Sequence, residues 1–261
     1  MHGGTLIFRN EDLDRARCRP EFVSAAVEDL RWFGFDWQEG PDCGGPFAPY
    51  HQSGRFEHYH AALDKLQAGG FIYPCTCSRK DIQQAAMAPH AEDEEPVYPG
   101  TCRPKTGEWR VTSDVKSASF PSRVTGHPSH SWRFRVPDGE TISFADRNLG
   151  PQQFVAGKDF GDFVLWPRRD DSDIPAYQLA CVVDDAAMRI SEVVRGADLL
   201  VSTARQILLY RALDLNPPAF FHCPLLCDEA GARLAKRHDA LSLRALCAEG
   251  KVPELLRRSW S

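Results

Sequence analysis

The 261-residue sequence predicts an α/β fold built on an open, largely parallel sheet, and short runs near both ends carry that reading. In Tyr177 to Leu200, an apolar run with polar punctuation ends at Asp184 and Asp185 and reads as a helix. The β-branched run Ile190 to Val194 follows as a buried strand, and Arg195-Gly196-Ala197-Asp198 turns the chain into the next helix. Near the N-terminus, Thr5 to Phe8 is a second short strand that stops at the charged segment Arg9 to Asp14. Ligands of open α/β sheets sit at the carboxyl ends of the strands. Arg195 therefore points a fixed cationic fork at that crevice, Tyr177 offers a hydroxyl beside it, and Glu11 can bind an amino group or a ribose.

Composition narrows the class. Hydrophobic content of 43% and charged content of 26% describe an ordinary globular chain, large enough for a sizeable core. The sequence contains neither a membrane-length apolar run nor the basic-then-apolar pattern of a secretory signal, so the expectation is a cytoplasmic protein with no membrane partner. Nine cysteines, an odd number in a chain of this length, fit a reducing compartment better than a disulfide framework. A net charge of −5 argues against indiscriminate nucleic-acid binding. The C-terminal region nevertheless carries a local basic face of Arg233, Lys236, Arg237, Arg244, Lys251, Arg257 and Arg258.

Pro20 suits the first position of a helix running to Phe33, with Val23, Val27 and Leu30 on one face and Gly34 closing it. After a Pro/Gly-rich loop, Ser53 is expected to cap a second helix that buries Phe56, Tyr59, Leu63 and Leu66 and stops at Gly69-Gly70. Cys75-Thr76-Cys77 follows, then Ser78 to Asp81 as a capping box, then Tyr98-Pro99-Gly100-Thr101-Cys102. Three thiolates with a fourth donor make a closed tetrahedral zinc site; the fourth is Tyr98 or His90, and three unrelated buried thiols are the competing reading. The runs Glu108 to Val111, Trp132 to Val136 and Thr141 to Phe144 suggest a small β-rich insertion. Gly161 to Trp166 reads as a strand, Ser202 or Thr203 as the cap of a helix, and Phe220 to Leu226 as a buried strand. Gly231 to Arg237 is a flexible basic loop able to close a lysine over phosphates, and a last helix starts near Ser242.

The ordered set FRNEDLD, CTC, YPGTC, YQLACVVDD, VVRGADLL and RLAKR resembles the glutamyl-tRNA synthetase superfamily of class I aminoacyl-tRNA synthetases across nearly the whole chain. The Tyr-x-x-x-Cys spacing is most similar to the short branch that modifies a tRNA base. By that resemblance Glu11, Tyr177 and Arg195 bind glutamate, and Cys75, Cys77, Tyr98 and Cys102 hold structural Zn²⁺. Arg233, Leu234, Ala235, Lys236 and Arg237 form a KMSKS-type loop in which Lys236 is the catalytic, ATP-contacting residue. The implied reaction is ATP- and Mg²⁺-dependent activation of L-glutamate and its transfer to the queuosine at the wobble position of tRNA(Asp), by a monomer.

The resemblance also implies a Rossmann-like parallel sheet divided along the chain. Residues 1–74 form the first catalytic part, 75–150 the zinc-binding and β-rich insertion, 151–229 the second catalytic part, and 230–261 the KMSKS-type loop and C-terminal helices. The family's opening strand and HIGH-type helix start lie before the first segment matched here. The expectation is therefore an N-terminally truncated sheet and weak or no activity in this form, recovered when an upstream segment is restored. A clipped glutamyl-tRNA synthetase and a non-catalytic, zinc-stabilised pseudoenzyme that binds tRNA or protein are the alternatives.

Overall fold

The computed structural model describes residues 3–14, 18–78, 81, 97–105, 130–168, 173–225 and 242–259. These fall into two units, Met1–Arg55 with Pro224–Ser261, and Phe56–Cys223.

In the first unit, helix α1 spans Pro20–Phe33, starting with proline in the first turn and ending at Gly34, whose φ of 100° is left-handed. Two C-terminal helices, α5 (Leu243–Ala248) and α6 (Pro253–Ser259), lie against it. Arg244 of α5 forks onto Glu28 and Asp29 at 2.8 and 2.9 Å, and Ser242 caps α5 by accepting the Ala245 N–H. The strand expected over Thr5 to Phe8 is only a pair of parallel bridges, Ile7 with Glu39 and Asn10 with His51. Backbone hydrogen bonds tie this segment to Gln38 and Glu39 and then to Tyr50 and Gln52, without forming a named strand, and Leu6 stays 46% exposed. Ser53 is likewise not a helix cap. It sits in the 3-10 turn Gln52–Gly54, where its N–H and hydroxyl both donate to the Asp12 carboxylate, at 2.9 and 2.7 Å.

The second unit opens with helix α2, Phe56–Ala68, which buries Tyr59, Leu63 and Leu66 completely at the expected spacing. Strands β1 (Ile72–Cys75), β2 (Ser131–Phe134) and β5 (Phe163–Trp166) form an antiparallel sheet in the order β1-β2-β5. A second sheet has the order β4-β3-β7-β6. In it the hairpin of β3 (Thr141–Asp146) and β4 (Gly150–Val155) is antiparallel, whereas β7 (Ala219–Cys223) runs parallel to both β3 and β6 (Glu192–Gly196). Thr141 to Phe144 thus shares a sheet with the Arg195 strand, and Trp132 to Phe134 belongs to the other sheet. Helices α3 (Tyr177–Ala187) and α4 (Leu200–Ala212) pack on one another and supply Leu179, Ala180, Ala204 and Leu209 to the core.

Two expectations here are corrected. The strand read as buried, Ile190 to Val194, begins at Glu192 and is the outermost of its sheet among the described residues, so Val194 is 64% exposed. Neither Ser202 nor Thr203 caps α4. The 3-10 turn Ala197–Leu199 starts the coil earlier, and Thr203 lies inside the helix with its hydroxyl donating to the Leu199 carbonyl at 3.1 Å.

Candidate active site and metal centre

Three parallel strands bring their carboxyl ends together at one edge of the mixed sheet. Asp146 is the last residue of β3, and Arg195 and His222 are register partners near the ends of β6 and β7. Parallel alignment makes their side chains neighbours although 76 positions separate Asp146 from His222. His222 and the Asp146 side chain are fully buried, and the imidazole Nδ1 lies 2.6 Å from the carboxylate. Burial alone would raise the Asp146 carboxyl. The His222 hydrogen bond, together with the N–H groups of Leu149, Asn148 and His222, outweighs burial and pulls it down to about 2.

Arg195 is half-buried above this pair. Its Nε approaches His222 Nε2 at 3.2 Å, Nη2 donates to Thr203 Oγ1 at 2.6 Å, and Nη1 donates to Tyr177 Oη at 3.3 Å. The structure therefore brings together Tyr177 and Arg195, two of the three residues read from sequence as a ligand fork. Tyr177, at the first position of α3, is 38% exposed, so the fork opens outward. Glu11 belongs to the other unit, where Arg9 Nη2 pairs with its carboxylate at 3.0 Å. The KMSKS-type loop, Arg233 to Arg237 with Lys236, lies outside the described residues, as does His90.

Sequence reasoning missed Asp146, His222 and Thr203. The lone histidine in the apolar run Phe220 to Leu226 was the available signal for His222. Thr203 gave none, because a threonine near a helix start reads first as a cap.

The cysteines gather where β1 ends. The sulfurs of Cys75, Cys77 and Cys102 all lie within 4.8 Å of one another, with Cys77 and Cys102 at 3.5 Å. Tyr98 Oη stands 3.4 Å from Cys75 Sγ and 3.6 Å from Cys77 Sγ, and accepts the Cys102 N–H at 2.8 Å. A tetrahedral zinc ion with sulfur at 2.3 Å and oxygen near 2.0 Å sets sulfur–sulfur edges of about 3.8 Å and sulfur–oxygen edges of about 3.5 Å. The three sulfurs could hold such an ion, and Tyr98 Oη stands beside two of them at distances near the sulfur–oxygen edge.

Surrounding residues fix the cage. Gly161 allows the 97–98 backbone to pass close by, since a Cβ there would meet Val97 Cγ1 at 2.8 Å and the Tyr98 N at 3.0 Å. The Arg133 guanidinium lies 4.0 Å from the centre of the Tyr98 ring, and Tyr73 donates to the buried Asp162 at 2.5 Å. Burial raises the Tyr98 phenol and the Cys77 thiol. It opposes ionisation of Cys102 too, but the Thr76 N–H and the Cys77 and Tyr98 hydrogen bonds prevail and bring that thiol down to about 6. A divalent cation would make three thiolates favourable.

Comparison with known proteins agrees with this architecture. The model of the family described as "tRNA synthetases class I (E and Q), catalytic domain" matches residues 1–260. A glutamyl-Q tRNA(Asp) synthetase of Symbiobacterium thermophilum is 52% identical over 97% of this chain and 74% of its own length. The one from Nitratidesulfovibrio vulgaris is 48% identical over 94% of this chain and 71% of its own. Among solved structures, a glutamate–tRNA synthetase from Elizabethkingia anophelis superposes with a TM-score of 0.71 at 27% identity, covering 90% of this chain and 46% of that one. Whereas most of each named relative is matched, this chain spans under half of the solved neighbour. A parallel edge carrying Arg195 and Tyr177, a cysteine–tyrosine cage, and a family match from end to end together establish that the chain belongs to the class I tRNA synthetase catalytic-domain family for glutamate and glutamine, a family of ligases.

Proposed function

We propose that this chain activates L-glutamate with ATP and Mg²⁺ and transfers it to the queuosine at the wobble position of tRNA(Asp). The observation that carries this reading is the outward-facing Arg195–Tyr177 fork at the carboxyl edge of the sheet. A guanidinium beside a phenol suits a carboxylate, and the family resemblance assigns the ammonium to Glu11. An oxygen of the glutamate α-carboxylate attacks the α-phosphorus of ATP, and the bond to the bridging oxygen breaks as pyrophosphate leaves. The resulting mixed anhydride is attacked at its acyl carbon by a hydroxyl of the cyclopentenediol of queuosine. AMP departs and the hydroxyl proton goes to solvent or a nearby base. Lys236 of the basic loop counters charge growing on the phosphates, and Mg²⁺ when bound supplies further neutralisation there.

The choice of acceptor rests on the names of the two relatives near 50% identity. The glutamate–tRNA synthetase neighbour supports a second reading, charging of tRNA(Glu). Zinc in the Cys75, Cys77, Tyr98 and Cys102 cage is proposed as structural, locking the end of β1 to residues 98–102. Nine cysteines without a disulfide layout support a cytoplasmic setting, and among the described residues no helix is long and apolar enough to cross a membrane. Radiolabelled glutamate offered with ATP, queuosine-containing tRNA(Asp) and tRNA(Glu) tests the reading. Label is expected on tRNA(Asp) and absent when the base is unmodified guanosine; label on tRNA(Glu) alone supports the second reading. Absence of glutamate-dependent pyrophosphate exchange in a form that also carries the family's opening strand and HIGH-type helix start contradicts both.

A further inference from the structure

We propose that Asp146, His222 and Thr203 are positioning residues that lock the Arg195 guanidinium in one rotation, so that its end-on pair of N–H groups faces a carboxylate ligand. The proposal rests on the glutamate reading above and goes beyond it by saying why the arginine is selective. It follows from counting donors and acceptors in a buried network.

The Asp146 carboxylate accepts at both oxygens. The N–H groups of Asn148 and Leu149 point at Oδ1, at 3.0 and 2.9 Å, and His222 Nδ1 sits 2.6 Å from Oδ2. An ionised carboxylate can only accept, so Nδ1 carries a proton. The other imidazole nitrogen, Nε2, lies 3.2 Å from Arg195 Nε, which can only donate. A proton on Nε2 would set two donors against each other, so Nε2 is bare and accepts. Thr203 Oγ1 accepts from Arg195 Nη2 at 2.6 Å, and its own proton has two acceptors in reach, the Leu199 carbonyl at 3.1 Å and the bare His222 Nε2 at 3.0 Å. With Nδ1 protonated and Nε2 bare, every group in the chain Asp146–His222–Arg195–Thr203 has a partner, whichever of its two acceptors the Thr203 proton faces.

The consequence is directional. An arginine has five N–H donors in a rigid plane. His222 Nε2 and Thr203 Oγ1 take the two on the Nε side, which fixes the plane about the last torsions of the side chain. One N–H on Nη1 and one on Nη2 are left pointing along the fork, with Tyr177 Oη alongside Nη1. That pair matches the two oxygens of a carboxylate. An amide in the same place would face donors with its own NH₂, so the lock turns a flexible cation into a discriminator between acid and amide side chains. A surface arginine on an unsupported stem lacks this preorganisation.

Calorimetric titration of L-glutamate and of ATP into the full chain tests the lock. Thr203→Val removes one acceptor and is expected to weaken glutamate at least tenfold while leaving ATP affinity within about twofold. Thr203→Ser restores it. His222→Gln, whose amide oxygen can replace Nε2, is expected to retain more affinity than His222→Ala, and this comparison decides the matter should Thr203→Val fail to fold. Independently, the ¹⁵N spectrum of the wild-type chain should show His222 protonated at Nδ1 and bare at Nε2. Folded Thr203→Val with unchanged glutamate affinity, or a proton on Nε2, overturns the lock. If those variants bind normally while Arg195→Ala does not, only the lock fails; a wild-type chain that takes no glutamate removes the reading beneath it as well.

Discussion

Replacing Arg195 with alanine should lower glutamate affinity by roughly 100-fold or more, the equivalent of about 3 kcal/mol, because the ligand carboxylate loses a charge-assisted fork inside a partly desolvated edge. Lysine does not rescue. Its ammonium is a point charge without the planar fork, and it cannot donate at once to His222, Thr203 and a carboxylate with the geometry now held by three nitrogens. The loss should fall on glutamate and spare ATP, and the melting temperature should change little because the guanidinium is only half-buried. Calorimetry of the two ligands checks the first point, and a thermal melt monitored by circular dichroism checks the second. A variant that binds glutamate normally would mean that the fork serves the protein rather than a ligand.

The metal cage carries the other large effect. The purified chain is expected to hold one zinc ion per molecule, and Cys75→Ser or Cys102→Ser to lose most of it, with a fall of roughly 5–10 °C in melting temperature. Tyr98→Phe should be milder, since three thiolates remain and water can take the vacated corner. Removing the ion by chelation should reproduce the Cys102→Ser melt and add nothing to it. Metal analysis by mass spectrometry reads the stoichiometry directly. Unchanged zinc in Cys75→Ser would place the ion elsewhere and leave the cluster as three thiols packed around a phenol.

Local signals in the sequence proved dependable where one residue decides one torsion. Pro20 and Gly34 bound α1 as expected, since proline fixes φ at a helix start and glycine alone reaches a φ of 100° cheaply. Arg195 and Tyr177 could be read together because a strand and the helix before it bring them into contact over 18 positions. Cys75, Cys77, Tyr98 and Cys102 were legible as a possible set through their spacing, and it is their distances that bring the three sulfurs and the phenol together.

What stayed hidden depends on distant partners. Ser53 has the right residue type for a cap, but the Asp12 carboxylate 41 positions earlier claims its hydroxyl. Thr203 sits close to a helix start, and a preceding 3-10 turn moves that start upstream and releases its oxygen to Arg195. Asp146 falls at the end of a strand that was read as part of an insertion, and only the parallel pairing of β3 with β7 reveals it as the partner of His222. Val194 looks like core by its chemistry and is exposed on a strand that is the edge of its sheet among the described residues. In each case pattern gives the type of element, while neighbours far along the chain decide what the residue does.

On the proposed function, a locked guanidinium beside a phenol selects an acidic side chain at this edge of the sheet, in a family whose description covers both E and Q. Titrating L-glutamate and L-glutamine in parallel into the chain measures it most directly. Glutamate should bind at least tenfold more tightly, since glutamine would turn an NH₂ donor toward the Arg195 fork. Equal binding of the two, or preference for glutamine, would contradict the account.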